Sequence, residues 1–172
     1  MKNYLDDVHE AITKKLNKRF PNSTLEHARV LVKEIINHAD KNVYLLSSTF
    51  NQEFYESIRP QVVDFLNKKE SNFYLIVTSD GNGLIRQLQD QHANFHVYRI
   101  DKNILPQDED SQEYINYIVN DKNAFRYEYS DKDIDKGIVE AIANFNSAEE
   151  TDLLIQFFND LRQKTELQKK AS

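Results

Sequence analysis

Tyr114-Ile-Asn-Tyr-Ile-Val-Asn120 is a run rich in β-branched and aromatic residues, and Ala124-Phe-Arg-Tyr-Glu-Tyr-Ser130 is a second such run. Residues of these types favour strands. The short polar segment Asp121-Lys-Asn123 joins the two runs, which is typical of an antiparallel hairpin. The sequence therefore predicts a hairpin in the second half of the chain.

Three short apolar runs precede the hairpin, and each has the length of a strand that is covered on both faces. They are Val43–Ser48, Phe73–Thr78 and Phe95–Ile100. Patterns with helical spacing alternate with these apolar runs. They extend from Ser23 to about Ala39, over 54–65 with a break expected at Pro60, and from Gly83 to about Asp90. Strand, helix and strand in alternation predict parallel pairing with helices on the faces.

The two ends of the chain complete the predicted α/β fold, a mixed and mainly parallel sheet flanked by helices, with a C-terminal antiparallel hairpin. An extra N-terminal helix is predicted to reach Phe20, with 1–22 as the helical segment, 23–162 as the domain and 163–172 as a polar tail. Ser23-Thr-Leu-Glu26 and Ser147-Ala-Glu-Glu150 each have the pattern of a capping box at a helix start. The run 138–145 fits a helix and a strand equally well.

Composition limits the classes of function. The chain has 172 residues, of which 40% are hydrophobic, and a formal net charge of -6. One compact domain is the default at this length, and the acidic balance disfavours nucleic acid and anionic lipid as partners. No apolar run approaches the roughly 20 residues of a membrane span. The first residues lack the apolar core of a signal peptide, so we expect a cytoplasmic protein. Zero cysteines exclude disulfides and thiolate metal sites, and we expect no cofactor and no metal.

Three residues of the predicted hairpin also have a spacing that resembles a known motif. Tyr114, Asn116 and Asp121 are spaced as the residues of HxKx4D in the phospholipase D-like superfamily, and the order of elements from about Ala28 to Leu161 resembles one lobe of that superfamily. The resemblance implies a phosphodiester site in which the histidine attacks, the lysine holds the phosphate, and an asparagine after a Gly-Ser pair adds a contact.

This chain departs from that motif at its chemical positions. Tyr114 replaces the histidine, Asn116 replaces the lysine, and Ala143-Asn144-Phe-Asn146 stands in place of the Gly-Ser pair and asparagine. A phenol has a pKa of about 10 and is mostly protonated at pH 7, and an amide carries no charge for a phosphate. We therefore predict that no residue is catalytic and that Tyr114, Asn116, Asp121, Asn144 and Asn146 are degenerate motif positions. A residual tyrosine nucleophile is the alternative.

Three other motifs are more typical of turns or strands than of ligand-binding sites. Ser79-Asp-Gly-Asn-Gly-Leu84 offers backbone N–H groups to an anion but lacks the full GxGxxG pattern. Asp131-Lys-Asp-Ile-Asp135 resembles a calcium loop, but its glycine is late and its bidentate glutamate is missing. His92 and His96 are four apart, but His96 falls in a predicted strand, where this spacing loses the geometry of a zinc pair.

The hairpin is crowded with aromatic residues. Tyrosine is enriched in protein interfaces, so Tyr117, Phe125, Tyr127 and Tyr129 form a possible interface, with core packing as the default. Phospholipase D-type catalysis needs two lobes and this chain offers one, so the resemblance implies a homodimer with 114–121 near its two-fold axis.

Two classes of function remain. The preferred one is a non-catalytic module that binds a protein partner, or a second copy of itself, and regulates. The alternative is a nucleic-acid-binding or residual phosphodiesterase protein, for which the basic pairs Lys14-Lys15, Lys18-Arg19, Lys68-Lys69 and Lys169-Lys170 are the local support.

Overall fold

The computed structural model describes residues 4–48, 50–78, 83–105, 107, 114–130 and 138–171, without the side chains of 129–130, 138–139 and 168–171. The helices are α1 Tyr4–Thr13, α2 Leu25–Asn37, α3 Gln52–Glu56, α4 Arg59–Leu66, α5 Gly83–Gln91 and α6 Ala148–Ala171. The strands are β1 Arg19–Thr24, β2 Asn42–Ser47, β3 Asn72–Val77, β4 Phe95–Arg99, β5 Asn116–Asn120, β6 Phe125–Ser130 and β7 Ile138–Asn144.

The seven described strands form one sheet in the order β1-β7-β6-β5-β2-β3-β4. Pairing is parallel between β2, β3 and β4, and antiparallel between β2, β5, β6, β7 and β1. Five strands consequently run in one direction, while β5 and β7 run in the other. The predicted α/β class, the mixed sheet and the hairpin are confirmed.

Two apolar clusters cover the two faces of the sheet. On one face, helices α1 to α5 pack their buried residues against Val43, Leu45 and Leu75. On the other face, Phe158 and Leu161 of α6 pack against the other set of sheet side chains. The alternation along each strand explains this division, because successive side chains point to opposite faces. The sheet is therefore the middle of three layers.

The N-terminal segment differs from its prediction. Helix α1 ends at Thr13 instead of reaching Phe20, and 19–24 form the edge strand β1, so the predicted boundary at residue 22 falls inside the sheet. Phe20 and Asn22 point inward while Pro21 lies on the edge, where its missing N–H costs no ladder bond. Apolar spacing alone could not reveal this change, because the pairing partner β7 is more than a hundred residues away in sequence.

Smaller differences follow from local chemistry. Thr24, not Ser23, caps α2, since its hydroxyl accepts from the N–H of His27 at 3.2 Å. The chain breaks between α3 and α4, with Pro60 in the first turn of α4, as predicted. The ambiguous run 138–145 forms β7. Helix α6 continues to Ala171 through the predicted polar tail, whose Gln, Lys, Glu and Leu residues have high helix propensity.

Candidate functional site

A cleft of about 50 Å³ lies beside the carboxyl end of β2, between the sheet and helices α2 and α3. Ligands of open α/β sheets bind at this edge. The walls are apolar where Leu25, Ala28, Val32, Leu45, Phe54 and Ile118 contribute. Polar side chains from β2, from α3 and its N-cap, from β5 and from β6 converge on the same space: Ser47, Asn51, Tyr55, Asn116, Arg126 and Glu128.

The most unusual part of the cleft wall is a buried ion pair on β6. Nη1 of Arg126 lies 2.7 Å from Oε2 of Glu128, and the two side chains are 7% and 10% exposed. The two residues alternate with Phe125 and Tyr127, so they share the sheet face that meets α2 and α3. Nε of Arg126 donates to Oδ1 of Asn22 at 2.8 Å, which fixes the guanidinium from the edge strand β1, two strands away on the same face of the sheet.

Tyr55 and Ser47 form the neutral part of the wall. The Tyr55 ring is half-buried, and its hydroxyl lies in the interior, hydrogen-bonded to Ser47. Burial raises the pKa of Tyr55 well above its ordinary value, and the negative Glu128 raises it further, with Arg126 offsetting part of the shift. The phenol therefore stays protonated at neutral pH. The Ser47 hydroxyl also accepts from the N–H of Phe50 at 3.0 Å.

Two degenerate motif positions lie at this edge. Oδ1 of Asn116 accepts from the N–H of Ser48 at 2.7 Å, and its Nδ2 donates to the carbonyl of Tyr114 at 3.3 Å. The amide thus ties β5 to the end of β2. Tyr114 is half-buried, and Nζ of Lys102 lies 4.8 Å from the centre of its ring. Asn116 borders the cleft and Tyr114 precedes it on the chain.

Asp121 lies at the opposite end of β5. Its carboxylate accepts three backbone N–H groups, from Asp40 at 2.9 Å, Lys41 at 2.7 Å and Asn42 at 2.9 Å. Along an extended strand, five residues separate Asp121 from Asn116 by roughly 17 Å. Asp121 therefore organises the turn that leads into β2 and takes no part in the cleft.

Asn144 and Asn146 also lie at the end of the sheet away from the cleft, since Asn144 pairs with Phe125 and Arg19. Nδ2 of Asn144 donates to Oδ1 of Asn17 at 2.6 Å. Nδ2 of Asn146 donates to the carbonyls of Ala11 and Leu16 at 3.2 and 3.1 Å. Both amides fasten the segment after α1 to the sheet, so the five motif positions divide between two ends.

The aromatic residues of the hairpin have separate environments. Tyr117 is 1% exposed, and its hydroxyl donates to the carbonyl of Leu154 on α6 at 3.0 Å. Phe125 is 3% exposed. Both are core residues beneath α6 that a partner of the folded chain cannot reach, while Tyr127 is half-buried and accessible in part. The side chain of Tyr129 lies outside the described residues.

Several other predicted features can be placed. The segments 79–82 and 131–135 lie outside the described residues. His96 is on β4, where it stacks on Tyr74 at 4.9 Å and lies 3.1 Å from Oδ1 of Asn72, while His92 follows α5. Within the described ranges, no group of three His, Asp or Glu side chains is arranged to hold a metal ion. None of the helices in those ranges has the length and apolar character of a membrane span.

The Arg126–Glu128 pair was missed by the sequence analysis. Opposite charges two residues apart on a predicted strand share one face, which was visible from the sequence. Burial was expected only for the strand face that carries the aromatic residues, and not for the face that carries Arg126 and Glu128. In the described sheet β6 is the third strand from the β1 edge, with helices packed on both faces, and that position was not visible before the strand order was known.

No protein-family model matches this sequence, and no curated protein sequence is significantly similar to it. Solved structures do match. NucT from Helicobacter pylori has 11% identity and a TM-score of 0.64, covering 87% of this chain and 98% of its own. The phospholipase D family member Nuc from Salmonella typhimurium has 12% identity and a TM-score of 0.59, covering 87% and 96%.

A third match, TrmBL2, is described as an archaeal chromatin protein with a novel mode of DNA binding. It has 12% identity and a TM-score of 0.59 over 93% of this chain, which spans 58% of TrmBL2. Similarity at these identities concerns the fold, which agrees with the resemblance inferred from the order of elements and the motif spacing. This chain therefore has the fold of a phospholipase D-like lobe.

Proposed function

We propose that this chain is a non-catalytic phospholipase D-like domain that acts as a protein-interaction or regulatory module. The observation that carries the proposal is the replacement at the two chemical positions of the motif. Tyr114 stands at the nucleophile position, and the Asn116 amide at the phosphate-binding position is committed to Ser48 and to the Tyr114 carbonyl. Neither residue supplies an imidazole or a positive charge to the cleft.

The other side chains of the cleft do not restore this chemistry. Phosphodiester cleavage needs an accessible nucleophile and an acid that protonates the leaving oxygen. Tyr55 remains protonated because burial raises its pKa, and the Ser47 hydroxyl is engaged by the Phe50 N–H. Among the described cleft residues there is no histidine to activate either hydroxyl.

The histidines of this chain serve other contacts. His9 and His38 lie 3.2 and 3.5 Å from the Glu34 carboxylate on α2, and His27 stacks on Tyr4 at 3.9 Å. These residues belong to the packing between α1 and α2. All five histidines lie among the described residues and none of them lines the cleft, so an imidazole there would have to come from a partner.

Two accessible aromatic residues support a protein partner. Tyr114 and Tyr127 are half-buried near the carboxyl edge of the sheet, and tyrosine provides a large contact area with a polar tip. A second copy of this chain is one form of that partner, with the segment around Tyr114 near the two-fold axis. The net charge of -6 favours a protein surface with basic groups over a phosphate backbone.

The alternative of nucleic-acid binding has one structural support. Lys14, Lys15, Lys18 and Arg19 lie together between α1 and β1, in a chain whose fold is similar to that of a DNA-binding chromatin protein. Lys14 pairs with Glu10 at 2.5 Å and Arg19 pairs with Glu150 at 2.7 Å, so nearby acids neutralise half of this group. We therefore keep the protein partner as the preferred proposal.

Affinity capture from a cytoplasmic lysate, with and without nuclease treatment, tests the proposal. We expect a stoichiometric protein that survives nuclease and is lost with Tyr114→Ala. The matched control is Tyr74→Ala, another half-buried tyrosine, which lies on β3 and does not line the cleft. Nuclease-sensitive recovery of DNA or RNA would favour the alternative.

An activity assay completes the test. The purified chain, incubated with bis(p-nitrophenyl) phosphate and with single-stranded DNA, is expected to release no product above a buffer blank. Turnover that Tyr114→Phe abolishes would contradict the non-catalytic proposal and identify a tyrosine nucleophile. Light scattering at micromolar concentration separately measures the oligomeric state, and a clean monomer would exclude the homodimer.

A further inference from the structure

Arg126 has N–H donors that its described contacts do not use. A guanidinium has five N–H donors, and the hydrogen bonds to Asn22 and Glu128 engage Nε and Nη1. Burying two charges costs several kcal/mol of desolvation per ion, and the attraction between them repays this only when further hydrogen bonds satisfy the remaining groups. The remaining Arg126 donors therefore favour an acceptor that occupies the cleft.

The charge of the cleft wall selects a neutral acceptor. Arg126 and Glu128 compensate each other, and the other polar lining groups are hydroxyls and amides. An anion bound to Arg126 would lie close to the Glu128 carboxylate in a site with little solvent screening, where like charges repel strongly. A cation would meet the guanidinium in the same way. A neutral group binds without disturbing the ion pair.

Hydroxyl groups match the neutral side chains as well. Asn116 uses one lone pair and one N–H in its described bonds, so its amide can donate and accept once more. The Tyr55 phenol is neutral at physiological pH, and beside its bond to Ser47 its oxygen can accept from a ligand hydroxyl. A hydroxyl both donates and accepts, so neighbouring hydroxyls on one ligand can satisfy an amide and a guanidinium together.

The size and the apolar walls restrict the ligand further. The cavity of about 50 Å³ has room for about four water molecules, which corresponds to a three-carbon polyol or part of a sugar ring. Ala28 and Val32 of α2 form the wall that faces the sheet, and Ile118 lies next to Arg126 on the sheet itself; these apolar side chains suit the C–H face of such a molecule.

We propose that the cleft at the carboxyl end of β2 binds a small neutral polyhydroxylated ligand through Arg126, Asn116 and Tyr55. This site is distinct from a protein-binding surface around Tyr114, and it does not depend on that surface. The ligand-binding proposal can hold whether the chain acts with a protein or with nucleic acid.

Titration by ¹H–¹⁵N NMR tests the proposal directly. The probes are glycerol and D-glucose as neutral polyols and inorganic phosphate as the anion, and the reporters are the Asn116 amide and the Arg126 Nε–H. We expect saturable shifts of both reporters with at least one polyol in the millimolar range, which is typical of small neutral ligands. We expect only linear, non-saturating shifts with phosphate.

Variants connect any binding to the ion pair. The double substitution Arg126→Met with Glu128→Gln removes both charges together and should weaken polyol binding about tenfold or more. The matched control is Lys41→Met with Glu70→Gln, which removes an exposed pair 2.7 Å apart elsewhere on the surface and should leave binding unchanged. Dispersion of the NMR spectrum shows whether each variant is folded.

A cavity-filling variant keeps the test independent of the ion pair. Ala28→Leu adds three carbons at a lining position that is fully buried, so it should abolish saturable shifts while retaining the fold. The proposal is overturned if neither polyol gives saturable shifts, if phosphate saturates at a lower concentration than both polyols, or if a folded Arg126→Met/Glu128→Gln or Ala28→Leu variant binds like the wild type.

Discussion

The two ends of strand β5 carry residues that belong to the same motif spacing, but they differ in how fully their polar groups are hydrogen-bonded. At the hairpin end, the Asp121 carboxylate accepts three backbone N–H groups, and the nearby Asn120 amide donates to Ile35 and accepts from Lys122 and Ala124. At the cleft end, Asn116 makes two bonds and borders a cavity. One end is saturated with hydrogen bonds within the chain, and the other retains polar groups that face open space.

The structural role of Asp121 accounts for the one position of the motif spacing that this chain retains. Asp121 holds the start of β2 against the hairpin, so it has a structural role that persists without chemistry. Tyr114 and Asn116 stand, by the predicted motif spacing, where the family has a histidine and a lysine, and the structure places Asn116 beside the cleft. A partial motif match therefore indicates the fold without indicating the reaction.

The largest expected effect is at the cleft end. Glu128→Ala leaves the Arg126 guanidinium buried without its counter-ion, which should lower the free energy of unfolding by about 3–5 kcal/mol. Replacing both partners, by Arg126→Met with Glu128→Leu, should restore stability to near the wild-type value. Urea unfolding followed by circular dichroism measures both changes. A loss below about 1 kcal/mol for Glu128→Ala would mean that water in the cleft solvates the guanidinium and that the pair is not buried as described.

The second effect is at the hairpin end. Asp121→Ala removes the acceptor of three backbone N–H groups and should cost about 2–3 kcal/mol, since water can reach part of this turn. Asp40→Ala in the same turn is the matched control, because its exposed pair with Lys122 at 3.3 Å should contribute at most about 1 kcal/mol. Equal effects of the two substitutions in thermal unfolding would remove the structural explanation for the aspartate.

The smallest effect distinguishes the two ends of β5 most directly. Asn116→Ala removes the acceptor of the Ser48 N–H, but water in the adjacent cavity can replace it, so we expect a loss of about 1 kcal/mol. Asn103→Ala, at an exposed asparagine, is the control and should stay within about 0.5 kcal/mol. A cost for Asn116→Ala as large as that for Asp121→Ala would show that both ends are equally saturated and would weaken the ligand-binding proposal.

The sequence predicted the elements whose signals are local. The apolar runs at 43–48, 73–78 and 95–100 each gave a strand, and the β-rich runs around Asp121 gave the hairpin. Pro60 correctly marked the break before α4. These predictions succeeded because residue type and spacing within a few positions decide them.

The sequence did not predict β1 or the ion pair in the cleft, and it left 138–145 open between a helix and a strand. Arg19–Thr24 becomes a strand because β7 offers it an edge, and Ile138–Asn144 becomes one because β6 and β1 lie on its two sides. The burial of Arg126 and Glu128 depends on the strand order, which places β6 inside the sheet, and on the helices α2 and α3 that cover this face. Each outcome depends on a partner that is far away in sequence.

The sequence by itself determined the α/β class, the alternation of strands and helices, and the missing histidine and lysine, because composition and local spacing are written in the chain. The tertiary structure alone decided that the motif positions divide between two ends of the sheet and that opposite charges two residues apart become a buried pair beside a cavity. The physical reason is that burial and hydrogen-bond partners are properties of pairs of distant segments, and those pairs exist only once the sheet has formed.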